Sequence, residues 1–87
     1  MKIKNVGSNM TEVELNGCIL LYSYETPVAG KNTDGWYCGN AMFKTDRKWS
    51  STTTRHINKW FREVWDVDAK TEVPEVSQSD IYALAEV

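Results

Sequence analysis

Three places in this chain carry residues whose types and spacing could do chemistry. The first is the hydroxyl run Ser50-Ser51-Thr52-Thr53-Thr54, preceded by Arg47 and Lys48 and followed at once by Arg55 and His56. A helix opening there leaves its first backbone N–H groups unpaired and carries partial positive charge, so its start could hold a phosphate or a carboxylate. Thr53 and its neighbours would supply hydroxyls. The plainer account is that one hydroxyl caps the helix and the others face solvent, since every helix needs a cap.

His56 is the one histidine of the chain. No partner at metal-ligand spacing accompanies it, and a general base needs a positioned nucleophile that hydroxyls on its own turn do not provide. On the helical wheel it borders the apolar face beside Trp60 and reads as a packed or capping side chain. We therefore expect no catalytic residues, no metal ligands, no cofactor and no enzymatic activity.

The second place is the basic helix face Arg55, Lys59 and Arg62, joined by Lys44, Arg47 and Lys48. Cations at this density could contact phosphates, and Trp49 could stack on a base. Against that stands the balance of the chain, net −2 with a pI near 5.3, where nucleic-acid modules are strongly basic. The third place is the acidic C-terminal part with Asp66, Asp68, Glu72, Glu75, Asp80 and Glu86, which could meet a basic partner or could simply be solvated. Residues 1–43 carry a net −1, residues 44–62 a net +5 and residues 63–87 a net −6.

The element that must position the first two places is a helix over about 52–65. Ile57, Trp60, Phe61 and Val64 fall at i, i+3, i+4 and i+7 and share one face, with Trp65 at its edge. Ahead of it the spacing predicts a sheet over about 11–45. Thr11 to Leu15 alternates polar and apolar, Asn16-Gly17 is a hairpin signal, and Cys18 to Tyr24 follows. A two-residue loop pairs Leu15 with Cys18, Val13 with Leu20, Glu14 with Ile19 and Glu12 with Leu21. The first strand then reads as an edge and the second as a central strand, apolar on both sides. Glu25-Thr26-Pro27 interrupts, Val28 to Gly30 is a short third strand, and Trp36 to Cys38 enters a fourth that continues through Ala41 to Thr45. Residues 1–10 read as polar, with Gly7-Ser8-Asn9 as a turn. Val67 to Val73 is a strand or an ordered loop. Ser77 to Asp80 resembles a capping box opening a short helix over about 78–86.

The fold expected is α+β: a small antiparallel meander of three to four strands packed by one main amphipathic helix, plus a short C-terminal helix. Trp60, Phe61 and Ile57 would pack onto Leu20, Tyr22 and Leu15. At 87 residues the chain is expected to form a single domain, 1–87, with one thin core to which its ten aromatics contribute heavily. Cys18 and Cys38 make no CxxC and read as small core residues of a reducing compartment, a cross-strand disulfide being the less favoured alternative. The N-terminus has no apolar signal core, and no apolar run approaches the ~20 residues that span a bilayer. A cytosolic protein without membrane contact is expected.

Two segments, LYSYETPVAG at 21–30 and FKTDRKWSSTTTRHINKW at 43–60, resemble a family of small uncharacterised bacteriophage-encoded proteins with YxTPVA and SxTTxxHINxW-like segments. The resemblance covers about half of the chain and carries no assigned catalytic residues. It implies a viral accessory protein in the host cytoplasm. The function expected is that of a small non-enzymatic phage accessory protein that binds a host protein and inhibits host or defence machinery. Exposed aromatics such as Trp36 and Tyr37, or the acidic tail, would make the contact. The alternative is nucleic-acid or nucleotide binding through the basic helix and its N-terminus. A homodimer is a further way to cover an exposed sheet face.

Overall fold

The computed structural model describes residues 2–15, 17–32 and 42–85. In chain order they form β1 (Lys2–Gly7), β2 (Met10–Leu15), β3 (Cys18–Ser23), β4 (Thr26–Asn32), β5 (Met42–Thr45), α1 (Ser51–Trp65), α2 (Ala69–Glu72), β6 (Glu75–Val76) and α3 (Gln78–Ala85). The strands hydrogen-bond in sequence order. All neighbours are antiparallel except β5 and β6, which run parallel. The protein is α+β, but its sheet is mixed and six-stranded among the described residues; the expected three- to four-stranded meander is wrong.

Two strands account for the difference. β1 was read as a polar lead-in, yet it pairs with β2 and sets Lys2 opposite Glu14 and Lys4 opposite Glu12. Opposite charges across a ladder support such a strand without apolar alternation, and lysines suit an exposed edge. β2 is therefore an inner strand, contrary to the edge expected. β6 has only two residues, too few to show a period. It is held by Lys44 N donating to Pro74 O (3.1 Å) and Asp46 N donating to Val76 O (2.9 Å).

The β2–β3 hairpin has the expected register, with Leu15 opposite Cys18, Glu14 opposite Ile19, Val13 opposite Leu20 and Glu12 opposite Leu21. Gly17 takes φ 76°, which a residue without Cβ adopts freely. Pro27 does not interrupt the sheet. It lies in β4 opposite Tyr22, where the register shifts after Leu21, and an irregular step is where a strand tolerates a missing N–H. The fourth-strand reading of Trp36 to Cys38 lies outside the described residues, as does Cys38; Cys18 is buried.

β3 is apolar on both faces, as expected, and both are covered. α1 and α2 lie on one side, where Ile57, Trp60, Phe61 and Ala69 cluster with Met10, Leu21, Val28 and Ala29. α3 lies on the other, where Ile81 and Leu84 cluster with Cys18, Leu20 and Phe43. The main helix thus packs against Leu21, not against Leu20 and Tyr22 as expected; the Leu15 side chain lies outside the described residues. Gly30 makes the second cluster possible, since a Cβ there would stand 2.5 Å from the Phe43 ring and 2.9 Å from Leu20.

α1 begins one residue earlier than expected, with Ser50 of the hydroxyl run as its cap, and ends at Asp66 in the left-handed region (φ 54°). The Asp66 N–H closes the helix onto Arg62 O and Phe61 O. Val64, expected on the buried face, is exposed, and Trp65 packs instead. The 67–73 stretch is neither strand nor plain loop. Asp68 Oδ1 accepts from Lys70 N, and Glu72 Oε2 accepts from Asp68 N at 2.8 Å, a reciprocal cap that turns α2. Ser77 Oγ accepts from Asp80 N at 3.2 Å, as the Ser-x-x-acid spacing predicts. No helix among the described residues is long and apolar enough to cross a membrane.

Candidate ligand site at the start of helix α1

The chain leaving β5 turns sharply, because Thr45 Oγ1 accepts from Arg47 N at 3.0 Å. Four residues later α1 opens. Ser50, with extended backbone (φ −157°, ψ 166°), accepts from Thr53 N through its side chain at 3.2 Å and from Thr54 N through its carbonyl at 3.0 Å. That leaves the N–H groups of Ser51 and Thr52 without partners inside the helix, as in any first turn. No acid stands in that turn to offset its partial charge.

The turn faces a cleft of about 420 Å³. It is lined by Arg47, Lys48 and Trp49 of the connection, by Ser50, Ser51, Thr54 and Asn58 at the start of α1, and by Lys44, Lys70 and Glu75. Lys44 is tied down, its Nζ donating to Ala69 O at 2.6 Å, whereas Lys48 and Lys70 are exposed. The Arg47 guanidinium lies 5.1 Å from the Trp49 ring centre, a cation–π stack. Trp49 is held from behind: its Nε1 donates to Gln78 Oε1 at 3.3 Å, and buried Gln78 donates through Nε2 to Pro27 O at 2.7 Å. Four cations against Asp46 and Glu75 give the cleft a net positive lining in a chain that is net negative.

His56 points the other way, into the sheet. Its Nδ1 lies 2.7 Å from Ser23 Oγ, and Ser23 Oγ lies 3.1 Å from Thr53 Oγ1. Burial, and secondarily the charge of Lys59, push the imidazole below its ordinary range. Ser23 Oγ and His56 Nδ1 share a hydrogen bond, and this contact joins α1 to β3. Among the described residues, no group of three or more His, Cys, Asp or Glu is placed to hold a metal.

A family model described as a family of unknown function (DUF8033) matches residues 1–82. The chain belongs to this family. The match extends well beyond the two segments on which the resemblance was drawn, and it includes every element up to the start of the last turn of α3. No curated protein and no solved structure matches the chain.

On this DUF8033 fold the sequence-derived site residues separate into three groups. Arg47, Lys48 and Thr53 line the cleft, and His56 stands behind it. Arg55, Lys59 and Arg62 are exposed on the outer face of α1, away from the cleft lining; Arg62 instead borders shallow hollows with Asp66 and Asp68. Trp36 and Tyr37 lie outside the described residues. Sequence reasoning missed Lys70, Glu75 and Asn58 as lining groups and Ser23 as the partner of His56. No local pattern could have found Lys70 and Glu75: α2 is tied to the cleft by Lys44 Nζ donating to Ala69 O, and Glu75 is brought there by the parallel β5–β6 pairing. Asn58 stands one helical turn beyond Thr54, so its place followed from the wheel.

Proposed function

We propose that this chain is a small non-enzymatic binding protein that holds a phosphate-bearing ligand in the cleft at the start of α1. The observation that carries the reading is the acid-free first turn of a 15-residue helix opening into a cleft that also presents Arg47, Lys48 and Lys70. Backbone N–H groups and cations converging on one concavity are what recognition of a phosphate requires. The setting we assign, from the segment resemblance, is that of a phage accessory protein in the host cytoplasm. Titration calorimetry with inorganic pyrophosphate tests the reading. Binding should weaken as salt rises and be lost in Arg47→Glu/Lys48→Glu, with Arg55→Glu/Lys59→Glu unaffected. Equal loss in both double variants would mean that the helix face, and not the cleft, is the site.

A second reading, engagement of a host protein, is supported by a separate surface. Ile3 on the edge strand β1 is 69% exposed, opposite Val13 on the side of the sheet that α3 leaves partly open, and Tyr82 of α3 is 41% exposed. An exposed apolar side chain on a sheet edge suits a partner chain. Co-purification of a stoichiometric host protein with the wild type but not with Ile3→Asp is the outcome expected of this reading. Capture that survives Ile3→Asp rejects that surface.

A further inference from the structure

The cleft has a neighbour. A second hollow of about 190 Å³ lies on the other side of Trp49, Ser50 and Thr53, which border both. Its remaining lining is of a different kind: Tyr24, Val28, Thr26 and Ser23. One compartment is cationic and the other aromatic, apolar and hydroxyl-bearing, and they are separated by a single shared wall. A ligand spanning them has an anionic group joined to a flat, partly polar ring.

We infer that the ligand is a nucleotide, its phosphate in the cleft and its base in the hollow between Tyr24 and Trp49. The inference rests on the phosphate-binding reading above and adds the chemical class of the ligand.

The Tyr24 backbone and the Trp49 ring are both anchored before anything binds. Tyr24 sits at the β3–β4 turn with φ 58°, a conformation that a bulky side chain seldom adopts, and its N–H donates to Asn9 O at 2.8 Å. That turn leaves the tyrosine 54% exposed, with its ring centre 5.8 Å from that of His56. Trp49 is 39% exposed and anchored through Gln78, with Arg47 stacked on it. Exposed aromatics at fixed positions accept any base by its face. Between them the buried hydroxyls of Ser23 and Thr53 belong to the chain of hydrogen bonds that ends on His56 Nδ1. The two hollows together reach the scale of pockets, roughly 300–1,000 Å³, that hold small molecules and cofactors.

The test compares adenosine 5′-monophosphate, ribose 5-phosphate and inorganic phosphate in equilibrium titrations. The nucleotide should bind at least about tenfold tighter than ribose 5-phosphate. Tyr24→Gly should erase that advantage while leaving ribose 5-phosphate within about twofold; glycine accepts φ 58° without strain, so the ring is lost without penalty to the turn. Equal affinities for the nucleotide and ribose 5-phosphate in the wild type would overturn the inference and leave the phosphate reading standing. No binding of any of the three, or binding of all three undiminished in Arg47→Glu/Lys48→Glu, would overturn both. A short single-stranded oligonucleotide is expected to bind no tighter than the mononucleotide, given the chain's net −2. Binding about tenfold tighter would overturn the assignment to a free nucleotide.

Discussion

Trp60 Nε1 donates to Glu12 Oε2 at 2.7 Å, joining the middle of α1 to the inner strand β2 across the apolar layer between them. The indole is almost wholly buried, and its ring centre lies 4.9 and 5.9 Å from those of Phe61 and Trp65 in T-shaped contacts. An unpartnered indole N–H there would have neither water nor backbone to turn to. The half-buried carboxylate on β2 therefore ties the helix to this side of the sheet.

Glu12→Ala should lower stability by about 1–3 kcal/mol, the penalty for leaving a buried donor unsatisfied. Glu12→Gln keeps an acceptor and should lose less. Urea denaturation read by far-UV circular dichroism gives both values. A Glu12→Ala protein as stable as the wild type would show that the contact is incidental.

Gly30→Ala should be destabilising by about 1–3 kcal/mol, because the new methyl meets the Phe43 ring and Leu20 at distances no relaxed Cβ tolerates. Phe43→Leu in the same chain should recover part of the loss by yielding space. The double-mutant cycle is the measurement, and strict additivity would contradict the steric account.

Ser50→Ala removes the side-chain acceptor of Thr53 N and should cost about 0.5–2 kcal/mol. Ser50→Asp should restore the cap. The aspartate also introduces negative charge at the mouth of the cleft, so it should weaken pyrophosphate binding while it rescues the melting temperature. A rescue of both would separate the cleft from the ligand.

His56 gives the fold a pH dependence of definite sign. Burial first, and Lys59 second, lower its pKa from the ordinary 6.5, so the unfolded chain takes up a proton before the folded one does. The contribution is fully present above pH 6.5 and is lost as pH falls from there through the folded-state value. The urea midpoint should accordingly be lower at about pH 5.5 than at about pH 7.5, and His56→Gln should flatten that difference. An unchanged slope in the variant would assign the effect to other groups.

Local chemistry made part of this architecture readable. The Asn16-Gly17 signal carried the whole β2–β3 register, and the apolar spacing from Ile57 to Phe61 carried α1. What was not readable depended on partners far along the chain. Lys2 and Lys4 become strand residues only because Glu14 and Glu12 stand opposite, and Glu75-Val76 becomes a strand only because β5 ends beside it. Apolar alternation could not say which face of β3 takes α1, since Leu20 and Leu21 are equally buried; the bond between Trp60 and Glu12 lies on the face that does. For the site, the hydroxyl run and Arg47-Lys48 stood out in the sequence, whereas the pairing of Ser23 with His56 joins residues 33 positions apart.

The parallel pairing of β5 with β6 has a consequence for synthesis. Lys44 to Lys48 leave the ribosome well before Lys70 and Glu75, yet both groups border one cleft. A nascent chain that has not reached Glu75 lacks part of the lining of this cleft, however well its hairpins have formed. If the cleft binds phosphate as proposed, ligand can be captured only by molecules whose sheet is complete. At a ligand concentration a hundredfold above Kd, those finished molecules would gain about 2.7 kcal/mol over unfinished or frayed ones. On the phosphate-binding proposal, occupancy of the cleft would thus act as a quality mark, sparing complete chains from proteolysis and leaving truncated ones to be cleared.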